Sequence, residues 1–511
     1  MQPPSLFGGS NLPWLKGHLE YLSDAYDEEH DLDDSEFQKK FVDIIPPHWT
    51  VCSLTMDPIT EELYVVRLQA EVTPTVVKLP LQRSGIRPNA EGESIDYTSA
   101  VEELKQIISD SDKTISNAKY HTEKSAVNEW WKKRMQLDLQ LKRLLNTIEG
   151  DWFGGFKGLL CGNYHEDEEG LNKFQRKINQ LMHNFVYDLP STGGEKEKSQ
   201  KTMDINLEMC RVFLRLGSDP SSRDIDDIIY FLLSCYTSHG IAVDTFRADL
   251  AQVKKSYCKS IETMEIVQDN HVILITDKHL HQLPWESLPI LRPQSVSRIP
   301  CLSFLRDRIM RNLASMDDDA DTWSEVTINC KKTCYILNPS GDLMHTQNEF
   351  EAAFKSMDGW QGLIQEKPLE HRWQSMLESR DLYLYFGHSA GQSIIRGQNI
   401  KKLKQCPVAI LMGCSSGTLM DKGEYDPDGY IMNYLLGGSP AVVANLWDVT
   451  DKSIDQLTGK MLNTWGLLKQ NANRSTVSLV EAVSSSRDAC TLPYLIGAAP
   501  IVYGVPVYIK S

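Results

Sequence analysis

Two glycine-framed segments of the sequence carry side chains capable of nucleophilic chemistry. Gly387-His388-Ser389-Ala390-Gly391 offers an imidazole, and Gly413-Cys414-Ser415-Ser416-Gly417 offers a thiol. A thiol attacks a carbonyl as its thiolate, so a cysteine protease needs an imidazole close enough to accept or share the proton. Glycines around both groups let backbone amides approach a developing oxyanion. His388 and Cys414 are 26 residues apart. That is one strand–helix–strand step of a parallel sheet, which sets two strand ends about 5 Å apart when the strands are neighbours. The competing reading is structural: a cysteine after an apolar strand is usually a small buried residue, and the glycine-rich context of both loops is what favours chemistry.

A second enzymatic reading uses the first loop alone. Gly387-His388-Ser389-Ala390-Gly391 fits the G-x-S-x-G elbow of α/β-hydrolases, with Ser389 as nucleophile. That fold needs a histidine downstream of the serine, and the last of the 13 histidines is His388 itself. The serine-hydrolase reading therefore loses most of its weight.

The elements that must hold these loops are legible in the pattern of apolar residues. Leu382–Phe386, Val408–Met412 and Ala441–Leu446 are nearly continuous apolar runs of the kind buried on both faces of a parallel sheet. Thr333–Leu337 and Gly362–Gln365 read as further strands. Helices are expected over Tyr430–Leu436 and Lys452–Leu467, and Thr346 with Glu349 reads as a helix cap. The alternation predicts a doubly wound, mainly parallel α/β domain, whose ligands bind beyond the carboxyl ends of the strands, where both loops lie.

Upstream the character differs. The β-branched runs Trp49–Met56, Glu62–Gln69 and Thr73–Leu79 suit a small antiparallel unit, and His271–Thr276 returns to a strand. Between Ile95 and about Met264 apolar residues recur at helical spacing, as in Leu137, Leu141, Leu144, Leu145 and Ile148, then Leu171, Phe174, Ile178, Leu181, Met182 and Phe185, and later Phe246, Leu250, Val253, Tyr257 and Ile261. A helical bundle is the simplest reading, with Ser99 and Glu102 as a capping box at its start and Ser191–Thr202 as a flexible loop. Met316–Asp321 reads as an acidic linker.

Composition sets the outer bounds. The 511 residues are 41% hydrophobic and 24% charged, an ordinary globular mixture with room for roughly two to four domains. The net charge of −16 argues against general phosphate-backbone binding and favours cationic partners, so no direct nucleic-acid site is expected. No apolar run is long enough to span a bilayer, and Met1-Gln-Pro-Pro-Ser lacks a signal-peptide pattern, so no membrane is expected and the compartment is read as intracellular. The 11 cysteines are scattered singly without a C-x-x-C pair, and His279 and His281 flank no carboxylate at ligand spacing. No metal or other cofactor is expected. Cys330 and Cys334 read as packing residues and Asp426-Pro-Asp-Gly429 as a turn.

Taken together, the Gly387-His388 loop, Met412-Gly-Cys-Ser-Ser-Gly417, Asn445-Leu-Trp-Asp-Val-Thr-Asp451 and Tyr494-Leu-Ile-Gly-Ala-Ala-Pro500 make the region from Leu283-Pro-Trp-Glu286 to Gly504 resemble separase, the caspase-like cysteine protease that opens cohesin rings at anaphase. The resemblance implies a caspase-like catalytic domain over 326–511. Ahead of it would lie a smaller β-containing, pseudo-protease-like domain over 1–325, with the helical bundle inserted at about 97–265. Family members are much longer, which implies that the chain is a C-terminal protease fragment. Caspase-like sites usually have glycine after the histidine, where this chain has Ser389; the backbone amides of Ser389 and Cys414 remain the implied oxyanion donors.

The resemblance also implies cleavage after Arg in a Glu-x-x-Arg context of the kleisin subunit of cohesin, restraint by a securin-like inhibitory chaperone, and residence in cytoplasm and nucleus. A buried guanidinium needs a carboxylate. Asp448, Asp451 and Asp455 follow the run Ala441–Leu446, and the first two stand where aspartates commonly cap a helix. Asp455 lies too far into the helix to cap it and is the first choice for the Arg pocket, with Trp447 as a wall. The peptide is expected to lie extended near Gly437–Val443. The alternative is a non-catalytic caspase-like module that binds a peptide without cutting it.

Overall fold

The computed structural model describes residues 32–81, 95–117, 123–162, 168–187, 204–216, 220–234, 249, 251–253, 255, 270–314, 323–468 and 476–510. The expected loop at Ser191–Thr202, the linker at Met316–Asp321 and most of the stripe from Phe246 to Ile261 lie outside them.

Every apolar run read as a strand is one, within a residue or two at the ends. In chain order the strands are β1 (Trp49–Asp57), β2 (Glu62–Gln69), β3 (Val72–Pro80), β4 (His271–Thr276), β5 (Val296–Arg298), β6 (Val326–Asn329), β7 (Thr333–Leu337), β8 (Gln361–Ile364), β9 (Leu382–Phe386), β10 (Val408–Leu411), β11 (Met420–Lys422), β12 (Tyr425–Asp428), β13 (Ala441–Asn445), β14 (Pro500–Gly504) and β15 (Val507–Lys510). Eleven of them form a single sheet in the order β3-β2-β1-β4-β5-β14-β13-β10-β9-β7-β8. The β1–β2–β3 meander is antiparallel as expected, yet β1 also pairs in parallel with β4, so the meander extends the large sheet. From β13 to β8 the pairing is parallel, with β14 running antiparallel against β13. The architecture is the caspase-like α/β sheet, mainly parallel, and β7, β9, β10 and β13 are buried along their whole length.

The motif Leu283-Pro-Trp-Glu-Ser-Leu-Pro289 has a structural explanation. Arg298 of β5 donates to both Glu286 carboxylate oxygens, at 2.6 and 2.7 Å, and to the Leu283 carbonyl at 2.7 Å, all in the interior. A buried bidentate pair with its spare donors satisfied fixes this loop under the middle of the sheet.

The helical region supplies α1 (Tyr97–Asn117), α2 (Lys124–Ile148), α3 (Glu168–Tyr187), α4 (Leu207–Leu214) and α5 (Ser222–Ser234). Leu137, Leu141, Leu144, Leu145 and Ile148 are all buried, within the same apolar cluster as Leu54 and Val65 of the sheet. The bundle thus packs onto the sheet as well as onto itself. The start of α1 lies two residues earlier than the expected cap: the Asp96 carboxylate accepts from the Ser99 N–H at 2.6 Å, and Ser99 lies inside the helix.

Further helices follow, of which α7 and α10 reach the site: α6 (Leu302–Ala314), α7 (Met344–Ser356), α8 (Glu370–Leu377), α9 (Tyr430–Leu436), α10 (Asp451–Trp465) and α11 (Leu479–Ser484). Thr346 does not cap α7. It lies inside the first turn, and its hydroxyl points elsewhere. Asp426-Pro-Asp-Gly429 is not a lone turn: its first three residues belong to β12, which pairs with β11 in an exposed hairpin. Among the described residues no helix is long and apolar enough to cross a membrane.

Candidate active site

Strands β9 and β10 are parallel neighbours, with Tyr385 opposite Leu411. The loops after them therefore leave the sheet together, as the spacing of His388 and Cys414 predicts. Gly413 lets the loops touch: a Cβ there would lie 1.8 Å from the Ser389 carbonyl oxygen and 2.6 Å from that of Gly387. On the His388 side, the Tyr385 hydroxyl donates to the His388 carbonyl at 2.8 Å. On the Cys414 side, Asn445 at the end of β13 is the clamp. Its amide Nδ2 donates to the Gly413 carbonyl at 3.1 Å, and its backbone N–H donates at 3.0 Å to the Ser416 hydroxyl, which itself donates to the Leu411 carbonyl at 2.7 Å. Ser389 and Ser415, the residues after the imidazole and after the thiol, both have φ 51. Holding a side-chain-bearing residue there costs about 1 kcal/mol each.

His388 and Cys414 line one small pocket together with Gly387, Thr346, Asp451 and Asp455. The Cys414 thiol donates to the Val449 carbonyl at 3.3 Å. Burial pushes that thiol up to about 11, and the negative charges of Asp448, Asp451 and Asp112 add to the effect. The His388 ring bonds through Nε2 to the Asp342 carboxylate at 2.8 Å, which holds Asp342 below the ordinary carboxylate range.

Asp455 is the most enclosed acid of the pocket, only 3% exposed. It accepts from the Thr346 hydroxyl at 2.9 Å and lies 3.1 Å from His345 Nδ1. Burial pushes its carboxyl up to about 6, and burial raises Asp451 as well. A buried carboxylate, Asp455, with the exposed Asp451 one turn away and a thiol beside them, is a poor environment for a further anion and a good one for a cation.

The other two residues proposed to contact substrate sit apart from this pocket. Asp448 accepts from the Ser415 hydroxyl at 2.6 Å. Trp447 is buried with its indole N–H on the Leu495 carbonyl at 2.8 Å, and it lines a separate groove of ≈ 1040 Å³ with Asp112, Ile108, Thr418 and Leu446. Neither Asp448 nor Asp451 caps α10 through its side chain; the cap position is Thr450. Gly437–Val443 offers no edge for an extended peptide. It lies at the entry to β13, whose two sides are taken by β10 and β14, and at the opposite end of that strand from Asn445.

Four site residues escape the sequence reading: Asp342, Thr346, Asn445 and Asp112. Asp342 follows the end of β7, so examining every strand end, and not only two, would have found it. Asn445 is the last residue of β13 and its single polar one. Asp112 comes from α1, and nothing in the sequence announces that the charge of this distant helix acts on the thiol.

Comparisons with known proteins identify the family. The pattern of the family described as "Separin, protease domain" matches residues 58–454. The chain is 38% identical to Separin of Schizosaccharomyces pombe and 30% identical to Separin of Mus musculus, each over 93% of this chain, while covering 25% and 20% of those proteins. It thus spans a quarter or less of the length of these relatives. Among solved structures, the crystal structure of the Saccharomyces cerevisiae separase–securin complex superposes with a TM-score of 0.79 at 28% identity, over 98% of this chain and 33% of that one. A protease-domain pattern that runs through the meander, the helical region and the His388 and Cys414 loops into α10 places this chain in the separin, or separase, family.

Proposed function

We propose that this chain carries the catalytic machinery of a cysteine endopeptidase that cuts after arginine, with Cys414 as nucleophile and His388 as the base. The observation that carries this reading is the convergence of His388, Cys414, Asp451 and Asp455 on one pocket at the ends of adjacent parallel strands. The imidazole takes the thiol proton, and the sulfur forms a bond to the scissile carbonyl carbon. The resulting oxyanion is met by the backbone N–H groups of Ser389 and Cys414, which donate to no acceptor among the described residues. The imidazolium then protonates the departing amine, and water hydrolyses the thioester. Asp455, assisted by Asp451, receives the guanidinium.

Family membership supports the finer assignment. The substrate is the kleisin subunit of cohesin, cut in a Glu-x-x-Arg context, and a securin-like inhibitory chaperone occupies the same site as a pseudosubstrate. Action in the cytoplasm and nucleus follows from that assignment. An Arg-directed peptide electrophile should label Cys414 and no other cysteine, as mapped by mass spectrometry, and Cys414→Ser should bind but not cleave a Glu-x-x-Arg peptide. Cleavage by Cys414→Ser at the native rate overturns the reading. Stoichiometric labelling of Ser389 by a fluorophosphonate with loss of activity would favour the serine-hydrolase alternative.

A further inference from the structure

The loop between β7 and α7 presents a carboxylate to the imidazole, and that contact is not required by a two-residue mechanism. Asp342 Oδ2 lies 2.8 Å from His388 Nε2. The loop that carries it is built firmly. Its first residue, Asn338, is buried with φ 53, donates its backbone N–H to the Phe386 carbonyl at 2.8 Å, accepts the Leu343 N–H on its side-chain oxygen at 2.9 Å, and donates its amide to Gln347 at 2.9 Å. Phe386 is the end of β9, two residues before His388. The carboxylate and the imidazole are thus anchored to the same strand end, while the side chains themselves are 59% and 55% exposed. A purely structural salt bridge between two exposed groups contributes little stability. Positioning is the role this geometry serves.

We infer that Asp342 is the positioning residue of the site, holding His388 through Nε2–H so that Nδ1 is the nitrogen that takes the Cys414 proton. This rests on the His388–Cys414 reading above. In the step, the S–H proton moves to Nδ1 and the sulfur electron pair forms the C–S bond. Nε2 keeps its proton throughout, and Asp342 stays ionised and stabilises the imidazolium. The Nδ1 proton then leaves with the amine as the C–N bond breaks. The same arrangement of a carboxylate, an imidazole and a nucleophile governs tautomer and charge in hydrolases of unrelated fold.

Several titratable groups bear on this pocket: Asp342 from the β7–α7 loop, Asp448 after β13, Asp451 and Asp455 from α10, Asp112 from α1, His345 on the first turn of α7, and the Cys414 thiol itself. The test must separate Asp342 from these. The full chain and its Asp342→Ala, Asp342→Glu, Asp451→Asn and His388→Ala variants are compared in two assays: peptide cleavage, and the pH profile of Cys414 alkylation by iodoacetamide, which needs no peptide. Asp342→Ala should lower kcat by about tenfold or more with KM nearly unchanged. The alkylation profile should change too, with slower reaction at neutral pH, because the imidazole is no longer held to take the thiol proton. Asp342→Glu should recover part of both, and Asp451→Asn should raise KM instead.

Unchanged kcat and an unchanged alkylation profile in Asp342→Ala overturn the inference. So does a rise in KM alone, which would make Asp342 a substrate contact. If His388→Ala leaves the alkylation profile as it is in the unaltered chain, the dyad itself fails, a result distinct from failure of Asp342 alone.

Discussion

The Thr346 hydroxyl donates a 2.9 Å hydrogen bond to the Asp455 carboxylate, tying the first turn of α7 to the second turn of α10 across the pocket shared by His388 and Cys414. Thr346 and His345 Nδ1, 3.1 Å away, share one oxygen of this enclosed acid. An incoming guanidinium is the partner that completes it.

The first prediction is therefore a loss of arginine selectivity in Asp455→Ala. Truncating one member of a desolvated charge pair costs about 2 to 5 kcal/mol, so kcat/KM for an Arg peptide should fall by about thirtyfold or more. A peptide with a neutral residue in place of Arg should be cut poorly by both forms. Retained Arg preference in Asp455→Ala, with the preference lost instead in Asp448→Ala or Asp451→Ala, would move the pocket to the other acid.

Acidity offers a second handle on the same residue. Asp455 titrates at about 6 in the folded chain, above its ordinary value. Its neutral form is the comfortable one: the stability it contributes is fully present below the unfolded carboxylate pKa and is lost as pH rises through about 6. Asp455→Asn should therefore raise the unfolding free energy near neutral pH by roughly 2 kcal/mol, an advantage that fades as pH falls toward 4. Binding of an Arg-containing inhibitor to the unaltered chain should weaken over the same acidic range, as measured by calorimetric titration. An Asp455→Asn chain less stable at neutral pH would contradict this account.

Occupancy of the Arg pocket should also wake the thiol. Burial raises Cys414 to about 11, with Asp448, Asp451 and Asp112 contributing, so the resting chain should react slowly with iodoacetamide at neutral pH. A small guanidinium compound that fills the pocket without covering the sulfur, such as ethylguanidine, cancels part of that negative field. Alkylation of Cys414 should accelerate severalfold, about what one unit of thiol pKa permits, and Asp455→Ala should abolish the acceleration. Equal rates with and without the cation would show that the acids do not restrain the thiol.

Gly413 provides a test of the loop contact. A methyl group there would collide with the backbone at Ser389 and Gly387, neither of which is the flexible end of a side chain. Gly413→Ala should cut kcat by about a hundredfold or more by driving the two loops apart. Gly423→Ala in the exposed β11–β12 hairpin, where a Cβ meets nothing within 4 Å, carries only the backbone cost of its φ of +67 and should cleave peptide normally. Full activity in Gly413→Ala would mean that the loops do not depend on this approach.

Much of this molecule is written locally. A strand buried on both faces must be apolar along its length, so Leu382–Phe386, Val408–Leu411 and Ala441–Asn445 announce themselves, and a ligand site at their carboxyl ends follows from the parallel pairing. The placement of His388 and Cys414 was legible for that reason: each lies in a glycine-rich loop directly after such a run, and the two runs are neighbouring strands. Asp455 stands in the second turn of α10, where an aspartate has no capping work to do, and the structure buries it beside that pocket.

What the sequence left open depends on contacts between elements far apart in the chain. Strand order is one such case: β14 comes near the end of the chain yet pairs with β13, removing the free edge once expected for an extended peptide at Gly437–Val443. Thr346 is another, since a threonine in the first turn of a helix looks like a cap until α10 brings Asp455 against its hydroxyl. Asp342 meets His388 from 46 residues away, and Asp112 acts on the thiol by its charge from a helix inserted between β3 and β4. Periodicity records which face of an element is buried. Which acid meets which imidazole is settled only when the elements pack, because charge and hydrogen bonding act over distances in space that the spacing of residues along the chain does not encode.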